Sequence, residues 1–269
     1  MTVKTTDPAD ASYTKIVANG KTEWIKLNPG MEKAAAFLET HRYAAYLGAS
    51  LGFTKMEGTT VNAKDKIAYS ALQNIQSSMV AGNAANVPGN GISVPKQLVA
   101  GAVMALNLKG GQKDTAGGTI NSEWMPVDTK VLLAGEDITA DALGNTANPN
   151  NIANPDNLKF SEKMRTLFIG EDSSQHVNNF LWAYNVDTKQ LSRVMSIPSG
   201  GESTGLHAVD EINGWTYIMS NFQHPGEFIK TASSDVKKLE TLIKQNYNQG
   251  YSAVVGYLTA DPAQPKLSK

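Results

Sequence analysis

The sequence predicts a mainly β protein: a β-propeller, or part of one, built of four-stranded antiparallel blades with a few helical insertions. Two observations lead to this prediction, a repeated pattern of short strands and tight turns of the kind that join antiparallel strands. Repeats of roughly 40–50 residues made of short strands are typical of propeller blades. A chain of 269 residues with 41% hydrophobic and 18% charged residues is globular rather than disordered.

The repeat is visible in three stretches that can be superimposed. They read MEGTTVNAKDKIAYSALQN (56–74), PDNLKFSEKMRTLFIGEDS (155–173) and STGLHAVDEINGWTYIMSN (203–221). Each stretch begins with polar residues, continues as a short alternating run, turns, and ends in a strand centred on an aromatic residue. These aromatic residues are Tyr69, Phe168 and Tyr217. Their spacing fits a period of about 49 residues, with one unit between the first two left unmatched.

The turns between the strands support the same fold. Asn213-Gly214 stands between two apolar runs, and this pair favours a type I′ hairpin because both central residues of that turn need a positive φ. The stretch AYNVDTKQLSRVMSI (183–197) predicts a second hairpin that turns at residues 187–190. Residues 165–221 are therefore expected to form a meander. The alternative is a generic antiparallel sandwich, which also contains hairpins.

Two segments interrupt the β pattern. Residues 31–49 are rich in Ala and Leu and end at Gly48, which predicts a helix. Residues 233–250 begin with a Ser/Asp cap, carry apolar residues at helical spacing and end at Gly250, which predicts a second helix. One domain is expected over residues 1–269. It has room for about four blades, so the ring is either four-bladed or completed outside this chain.

Composition and motifs narrow the chemistry. The formal net charge of −1 gives no electrostatic footprint for nucleic acid or an anionic membrane. The absence of cysteine excludes disulfides, zinc-thiolate sites and a cysteine nucleophile. The sequence contains no P-loop or H-E-x-x-H motif, and its two G-x-S-x-G strings, GASLG (48–52) and GESTG (201–205), do not stand between a predicted strand and a predicted helix. Carboxylates are therefore the groups most able to provide chemistry.

Three carboxylates occupy similar positions in the repeat. Glu57, Asp156 and Glu202 each precede the aromatic strand of their unit by a short interval. Equivalent positions of successive blades surround one axis, so these side chains are expected to converge at one mouth of the channel. Carboxylates at such short range need a cation to stay ionised together, and hard oxygen ligands suit calcium, magnesium or ferric iron. The alternative is that each is a solvated turn residue.

The run RTLFIGEDSSQHVNN (165–179) adds further candidates, because an apolar strand ends there in polar residues. Glu171 and Asp172 are adjacent, so only one of them can face a shared site while the strand continues. His176 is expected to order the loop through hydrogen bonds. His224, which follows a strand end, is a better site candidate.

Arg42 and Arg165 are candidates for clamping an anionic substrate, because a guanidinium can bind two oxygens of a phosphate at once. The alternative for each arginine is an ion pair at the protein surface.

Several segments, in order, resemble the C-terminal half of PhoX-type alkaline phosphatases. They are MEG with VNAKDK (56–66), NPDNLKFSEKMRTLFIGEDSSQHVNNFLWAYNVDT (154–188) and GGESTGLHAVDEINGWTYIMSNFQHPGE (200–227), while FLETHRYAAYLGAS (37–50) is similar to the stretch upstream of the family's Glu-Gly motif. The resemblance implies a propeller that holds calcium and iron at its channel mouth and hydrolyses phosphate monoesters in the periplasm or outside the cell. An export segment is not present in this chain.

By position, the resemblance implies that Glu57 and Glu171 are metal ligands, with Asp172, Asp156 and Glu202 as weaker assignments. It implies attack by cation-activated water, without a protein nucleophile. Family members also use a cysteine from an N-terminal half, which this chain does not show. This chain is therefore expected to be either a fragment of a longer protein, with the missing N-terminal half of the same propeller as its partner, or a divergent relative with an incomplete metal site. The other readings are a non-catalytic, calcium-stabilised propeller module and a calcium-dependent propeller hydrolase that acts on sugars.

Overall fold

A computed structural model describes residues 1–18, 21–87, 91–230, 234–247 and 252–260. Its contacts divide the chain into two compact units, where the sequence suggested a single domain. The first unit comprises residues 1–54 and 75–97, and the second comprises residues 55–74 and 98–269. Among the described residues, no helix is both long enough and apolar enough to span a membrane.

The first unit contains a small antiparallel sheet and two short helices. The sheet has the order β1 (Thr2–Lys4), β3 (Lys21–Lys26) and β2 (Thr14–Ala18). The helix expected over residues 31–49 is present as α1 (Glu32–Leu38) and α2 (Thr40–Tyr46), which are separated at Glu39. A 3-10 turn, Ser77–Met79, follows later in the chain.

The described residues of the second unit form three antiparallel sheets, here called the first, second and third blades. The first blade consists of β4 (Met56–Asn62), β5 (Ile67–Leu72), β6 (Ala102–Lys109) and β7 (Met125–Ala134). The second consists of β8 (Pro155–Ser161), β9 (Thr166–Glu171), β10 (Phe180–Asn185) and β11 (Leu191–Ser196). The third consists of β12 (Glu202–Ile212), β13 (Trp215–Gln223) and β14 (Val254–Ala260).

Within each blade, neighbouring strands follow one another along the chain, so each blade is a meander. The predicted fold class, a mainly β protein of antiparallel propeller-type blades, is therefore confirmed. The blades do not close into a ring within the described residues.

The hairpins that open the three blades each contain a residue with a positive φ, in four-residue loops in the first and second blades and in a two-residue loop in the third. Asn213 and Gly214 have φ values of 52° and 85°, as the predicted type I′ turn requires. Lys66 and Arg165 stand at the corresponding turns of the first and second blades, with φ values of 54° and 52°. Arg165 is thus a turn residue, and β9 begins one residue later.

The first strand of each blade also carries an irregularity at the same place. The pairing register shifts between Met56 and Thr59 in β4 and between Pro155 and Leu158 in β8. In β12 the shift lies between Thr204 and His207. Two residues then oppose one on the partner strand, which redirects their side chains as in a β-bulge.

These shifts define which residues of the blades are equivalent. Glu57 and Asp156 occupy the same position in the bulges of β4 and β8. In β12 that position belongs to Gly205, so Glu202 enters the strand three residues earlier. The same pairing aligns Ile218, rather than the expected Tyr217, with the aromatics of the other two blades.

The helix expected over residues 233–250 is present as α3 (Ser234–Lys237) and α4 (Leu239–Asn246). The expected cap at Ser233 and stop at Gly250 fall outside the described residues. A 3-10 turn, Glu227–Lys230, precedes these helices, and Ile229 packs with Val236 and Ile243.

The main core lies between the first and second blades. Its buried residues are Tyr69, Ala71, Val103, Ala105, Ile152, Leu158, Phe160, Leu167, Ile169, Trp182 and Tyr184. The first strands pack side by side, β4 against β8 and β8 against β12. A side-chain hydroxyl joins two of them, because the Phe160 N–H donates to Thr60 Oγ1 at 3.1 Å.

The blades approach so closely that two positions must lack a side chain. A Cβ on Gly58 in β4 would lie 2.4 Å from the carbonyl oxygen of Asp156 and 2.7 Å from the nitrogen of Leu158. A Cβ on Gly170 in β9 would lie 2.2 Å from the carbonyl oxygen of Ser203 in the third blade. Both obstacles are backbone atoms, which cannot rotate away. Glycine at these positions therefore sets the distance between neighbouring blades.

We predict that Gly58→Ala destabilises the protein by about 1–3 kcal/mol, because the methyl group forces β4 away from β8. Gly256→Ala is the matched control, since Gly256 is also a strand glycine and the nearest atom to its Cβ would be 4.0 Å away. Urea unfolding of both variants measures the difference. Equal stability of the two variants would contradict the proposed blade contact.

Candidate metal centre

Four of the predicted carboxylates lie at the same end of the blades. Glu57 and Asp156 lie at the starts of β4 and β8, and Glu202 is the first residue of β12. Asp172 directly follows β9, whose end pairs with the start of β8 through Glu171 and Pro155. We call Glu57, Asp156, Asp172 and Glu202 the carboxylate cluster.

The members of this cluster are close enough to perturb one another. The pKa of Asp156 is raised to about 6, first by burial and then by the negative charges of Glu57, Asp172 and Glu202. Lys55 opposes this increase. Clustered carboxylates that are partly removed from water are the setting in which a bound cation is favoured over a bound proton.

Lys55 lies beside the cluster and was not predicted as a site residue. Its ammonium lies 3.6 Å from Glu57 Oε1 and 3.8 Å from Asp172 Oδ2, and its side chain is about half exposed. Its backbone has a φ of 42°, a left-handed conformation that is uncommon for lysine. The lysine supplies part of the positive charge that the cluster requires.

Amide groups fix the orientation of two carboxylates. Gln73 Nε2 donates to Asp172 Oδ2 at 2.7 Å and to Asp156 Oδ2 at 3.4 Å. Asn157 Nδ2 donates to Asp156 Oδ1 at 2.6 Å.

Gln73 was not selected from the sequence either, although the repeat contains a signal for it. Gln73 stands in the first blade where Asp172 stands in the second. The Gln73 N–H donates to the carbonyl oxygen of Lys55, and the Asp172 N–H donates in the same way to Asn154.

Glu171, the other metal ligand expected by position, lies elsewhere. It is fully buried, and its carboxylate accepts four hydrogen bonds from the protein. Oε1 accepts from the Ala153 N–H at 2.9 Å and from Trp182 Nε1 at 2.6 Å. Oε2 accepts from the Phe180 N–H at 2.9 Å and lies 3.0 Å from His176 Nδ1. Glu171 and Asp172 thus point in different directions, as adjacent strand residues do, and Asp172 faces the cluster.

His176 has the loop-ordering position expected of it. Its side chain is fully buried, and its second nitrogen, Nε2, lies 3.3 Å from the carbonyl oxygen of Asn148. The ring also packs edge-on against Phe180. His207, by contrast, is exposed on β12.

Buried amides hold the segments behind the cluster. Asn154 Nδ2 donates to the carbonyl oxygens of Gln73 and Val99, both at 2.8 Å, while its Oδ1 accepts from Ser173 Oγ at 2.6 Å. Asn179 Oδ1 accepts from the Ser173 N–H at 3.1 Å, and Asn179 Nδ2 donates to the carbonyl oxygen of Gly201, which precedes Glu202, at 2.5 Å. The ends of β5, β9 and β12 are thereby tied to one another.

The two arginines are engaged by other carboxylates. Arg42 belongs to the first unit, where Nε and Nη2 bind both oxygens of Glu23 and Nη1 binds Glu39 at 2.7 Å. Arg165 is held by Asp187 and Asp65 at the hairpin turn, the opposite end of β8 from Asp156. Strand β8 spans roughly 20 Å at about 3.3 Å per residue, so Arg165 is not brought to the cluster. We therefore leave Arg165 out of the site, while Arg42 is engaged by Glu23 and Glu39 within its own unit.

Comparisons with known proteins give one structural relative. No protein-family profile and no curated protein sequence matches the chain. The structure of Pseudomonas fluorescens PhoX in complex with vanadate, a transition state analogue, is similar with a TM-score of 0.55 and 18% sequence identity. The match covers 93% of this chain and 43% of that protein, so this chain spans less than half of its length. The likeness supports a PhoX-like propeller fold.

We predict that Glu171→Gln destabilises the protein by about 3–5 kcal/mol. The –NH₂ group of the glutamine would face N–H donors whose hydrogen bonds the carboxylate now accepts. Guanidinium unfolding measures the loss. Glu211→Gln, which changes an exposed ion pair with Lys163, is the control and is expected to have little effect. A fully stable Glu171→Gln variant would show that the four hydrogen bonds do not hold the core.

We predict that Glu57→Gln lowers the pKa of Asp156, because Glu57 is the first of the charges that raise it. Asp156 binds its proton more tightly in the folded chain than in the unfolded one. The metal-free protein should therefore lose stability as the pH rises from the ordinary pKa of an aspartate to about 6, the pKa of folded Asp156. The expected loss is about 1–2 kcal/mol for this half-buried group.

Carbon-13 titration of the Asp side chains and unfolding at several pH values, both after removal of metals, check this prediction. The pH-dependent loss should be smaller in Glu57→Gln than in the wild type. Glu123→Gln, at an exposed residue paired with Lys66, should behave as the wild type. An unchanged pKa of Asp156 in Glu57→Gln would mean that the two carboxylates do not interact.

Proposed function

We propose that this chain belongs to a cation-dependent phosphomonoester hydrolase and provides carboxylate ligands for calcium and iron. The observation that supports the proposal is the convergence of Glu57, Asp156, Asp172 and Glu202 at one end of three blades, in a fold similar to that of PhoX. The likeness alone supports only the fold. The chemistry of the cluster gives the proposal its physical basis.

The donor set fits hard cations. Glu57, Asp156 and Asp172 offer carboxylate oxygens, which calcium and ferric iron prefer over softer ligands. Their side chains are partly exposed, 32% for Glu57 and 18% for Asp172, so ions can reach them from solvent. Burial raises the pKa of Asp156 first, and the negative charges of Glu57, Asp172 and Glu202 add to the increase even with Lys55 nearby.

The residues of this chain would act by binding and orientation. Glu57, Asp156 and Asp172 would hold the cations, and Gln73 and Asn157 orient two of these carboxylates. The chemistry supplied by bound cations is neutralisation of phosphoryl charge and activation of water. No protein nucleophile is required, because cation-activated water would be the attacking group.

Lys55 would provide a second contact to the substrate. Its ammonium is paired with Glu57 and Asp172, at distances of 3.6 and 3.8 Å, which are long for strong ion pairs. Cations bound by these carboxylates would release the lysine, and its half-exposed ammonium would then be available to a phosphate oxygen.

We further propose that the rest of a longer propeller completes the site, and that the whole enzyme acts in the periplasm or outside the cell. The chain spans 43% of the PhoX chain. The first blade presents an apolar groove of about 520 Å³ on its face away from the core, lined by residues including Val61, Ala68, Leu106 and Trp124. A neighbouring blade would cover such a surface.

A second candidate function is a non-catalytic module whose calcium only stabilises the fold. The crowding of carboxylates at the strand ends favours it, because neutralising them stabilises the blades whether or not a substrate binds. The two functions differ in whether phosphate esters are hydrolysed.

We predict that hydrolysis of p-nitrophenyl phosphate requires calcium and iron and is abolished by EDTA. Asp172→Asn should lower the rate at least tenfold, because it removes a ligand charge, and Glu211→Gln should leave it unchanged. The rate for this chain alone should be low, since a partial ligand set binds metal weakly. Addition of the complementary propeller half should increase it.

The outcomes separate the two functions. Activity that survives exhaustive EDTA would exclude the proposed cation dependence. A melting temperature that rises with calcium, without hydrolysis in the completed propeller, would favour the stabilised module. If the protein neither binds calcium nor hydrolyses the ester, both proposed functions are excluded.

A further inference from the structure

A second group of potential metal ligands lies beside the carboxylate cluster. Glu202, His224 and Glu227 each offer one ligand atom, and these atoms lie within 4.8 Å of one another. His224 Nε2 is in contact with Glu202 Oε1, and His224 Nδ1 lies 2.9 Å from Glu227 Oε2. The imidazole therefore stands between two carboxylates.

The backbone places these side chains together through a tight turn. His224 follows the end of β13 with a φ of 34°, and Gly226 has a φ of 87°. The Glu227 N–H donates to the carbonyl oxygen of His224 at 3.1 Å. This turn brings His224 and Glu227 to one side, opposite Glu202 at the start of the neighbouring strand β12.

One atom of the group lacks a hydrogen bond. The His224 Nδ1 atom is buried, although the side chain is 34% exposed, and it makes no hydrogen bond while lying 2.9 Å from Glu227 Oε2. A buried ring nitrogen aimed at a carboxylate without a hydrogen bond is costly in an ordinary ion pair. The same arrangement suits a nitrogen and an oxygen that share one cation.

The shared carboxylate is itself held in place. Gln223 Nε2 donates to Glu202 Oε2 at 2.5 Å, which leaves Oε1 directed at His224. Residues that orient a ligand in this way are typical of metal sites. Glu202 is also mostly buried, with a side chain 12% exposed, so its charge requires compensation.

We propose that Glu202, His224 and Glu227 bind one divalent transition-metal ion, such as zinc or manganese. An imidazole nitrogen with two carboxylates selects such ions over calcium, which prefers oxygen ligands only. An imidazole gives one ion only one of its two nitrogens, and Glu202 contacts Nε2 while Glu227 contacts Nδ1. Metal–ligand distances of about 2.0–2.2 Å therefore require one of the two carboxylates to turn towards the nitrogen that the other contacts. Three protein ligands also leave a coordination position for water or a substrate oxygen.

This site goes beyond the proposed function, because it adds a cation of a different chemical class to the calcium and iron of the carboxylate cluster. Glu202 belongs to both groups, since its charge acts on Asp156. The two sites would therefore be neighbours along the same end of the second and third blades. Binding at the new site does not depend on phosphatase activity.

The test is titration of the full chain with zinc, by calorimetry, after EDTA treatment and with calcium present to occupy the carboxylate cluster. The wild type should bind one zinc ion per chain. His224→Asn, which keeps a residue tolerant of positive φ, and Glu227→Gln, at a half-exposed carboxylate, should each bind zinc at least tenfold more weakly. His207→Asn, at an exposed histidine on β12, is the matched control and should bind as the wild type.

Cobalt provides an independent readout, since its visible absorption should show a nitrogen ligand in the wild type and lose that signature in His224→Asn. Circular dichroism verifies that each variant folds. If His224→Asn does not fold, Glu227→Gln decides the question by its zinc affinity. Absence of stoichiometric zinc binding by the wild type, or equal affinity in the folded variants, would overturn the proposal.

Discussion

The second unit depends on the close approach of the first strands of its blades. Backbone atoms of neighbouring blades stand where the side chains of residues 58 and 170 would be, so only glycine fits at either position. This approach buries the core between the blades, and it also brings Glu57 and Asp156 to one place through equivalent bulges. At this end of the blades, packing thus holds carboxylates close together although their charges repel one another. Burial and this repulsion both raise the pKa of Asp156.

The polar residues at the end of β9 and in the loop after it (171–179) stabilise the crowded strand ends. A buried carboxylate is tolerated only when its oxygens are satisfied, and Glu171 meets that condition with two backbone amides, the Trp182 indole and His176. Because these donors come from separate segments, the carboxylate fixes the loop that carries Asp172. Asn154 and Asn179 extend the same network to the neighbouring strands. Most residues of the run therefore hold the strand ends that carry the cluster, and within the run only Asp172 belongs to the cluster itself.

The repeat made most of the fold and much of the carboxylate cluster predictable. Glu57 and Asp156 could be paired from sequence because their blades share register, turn and bulge without insertion. The third blade could not be aligned as well, since an irregular register displaces Tyr217 by one residue. Glu171 could not be assigned, because alternation along a strand shows that adjacent acids diverge but not which of them is buried. Lys55 gave no signal, since its position depends on a backbone conformation that its sequence neighbours do not encode.

The proposed catalytic and stabilising roles of the cations are physically linked. Carboxylates that repel one another destabilise the strand ends, so any cation they bind stabilises the folded state, and the stabilisation grows with the logarithm of the cation's affinity. The same charge would attract a phosphate oxygen, because cations held by a partial set of protein ligands keep coordination positions for other oxygens. Lys55 supplies one positive charge within the cluster, because its ammonium lies between Glu57 and Asp172 at distances too long for tight pairing. A weakly held internal cation is one that an external cation can displace, and this makes the cluster suited to exchange rather than to permanent neutralisation.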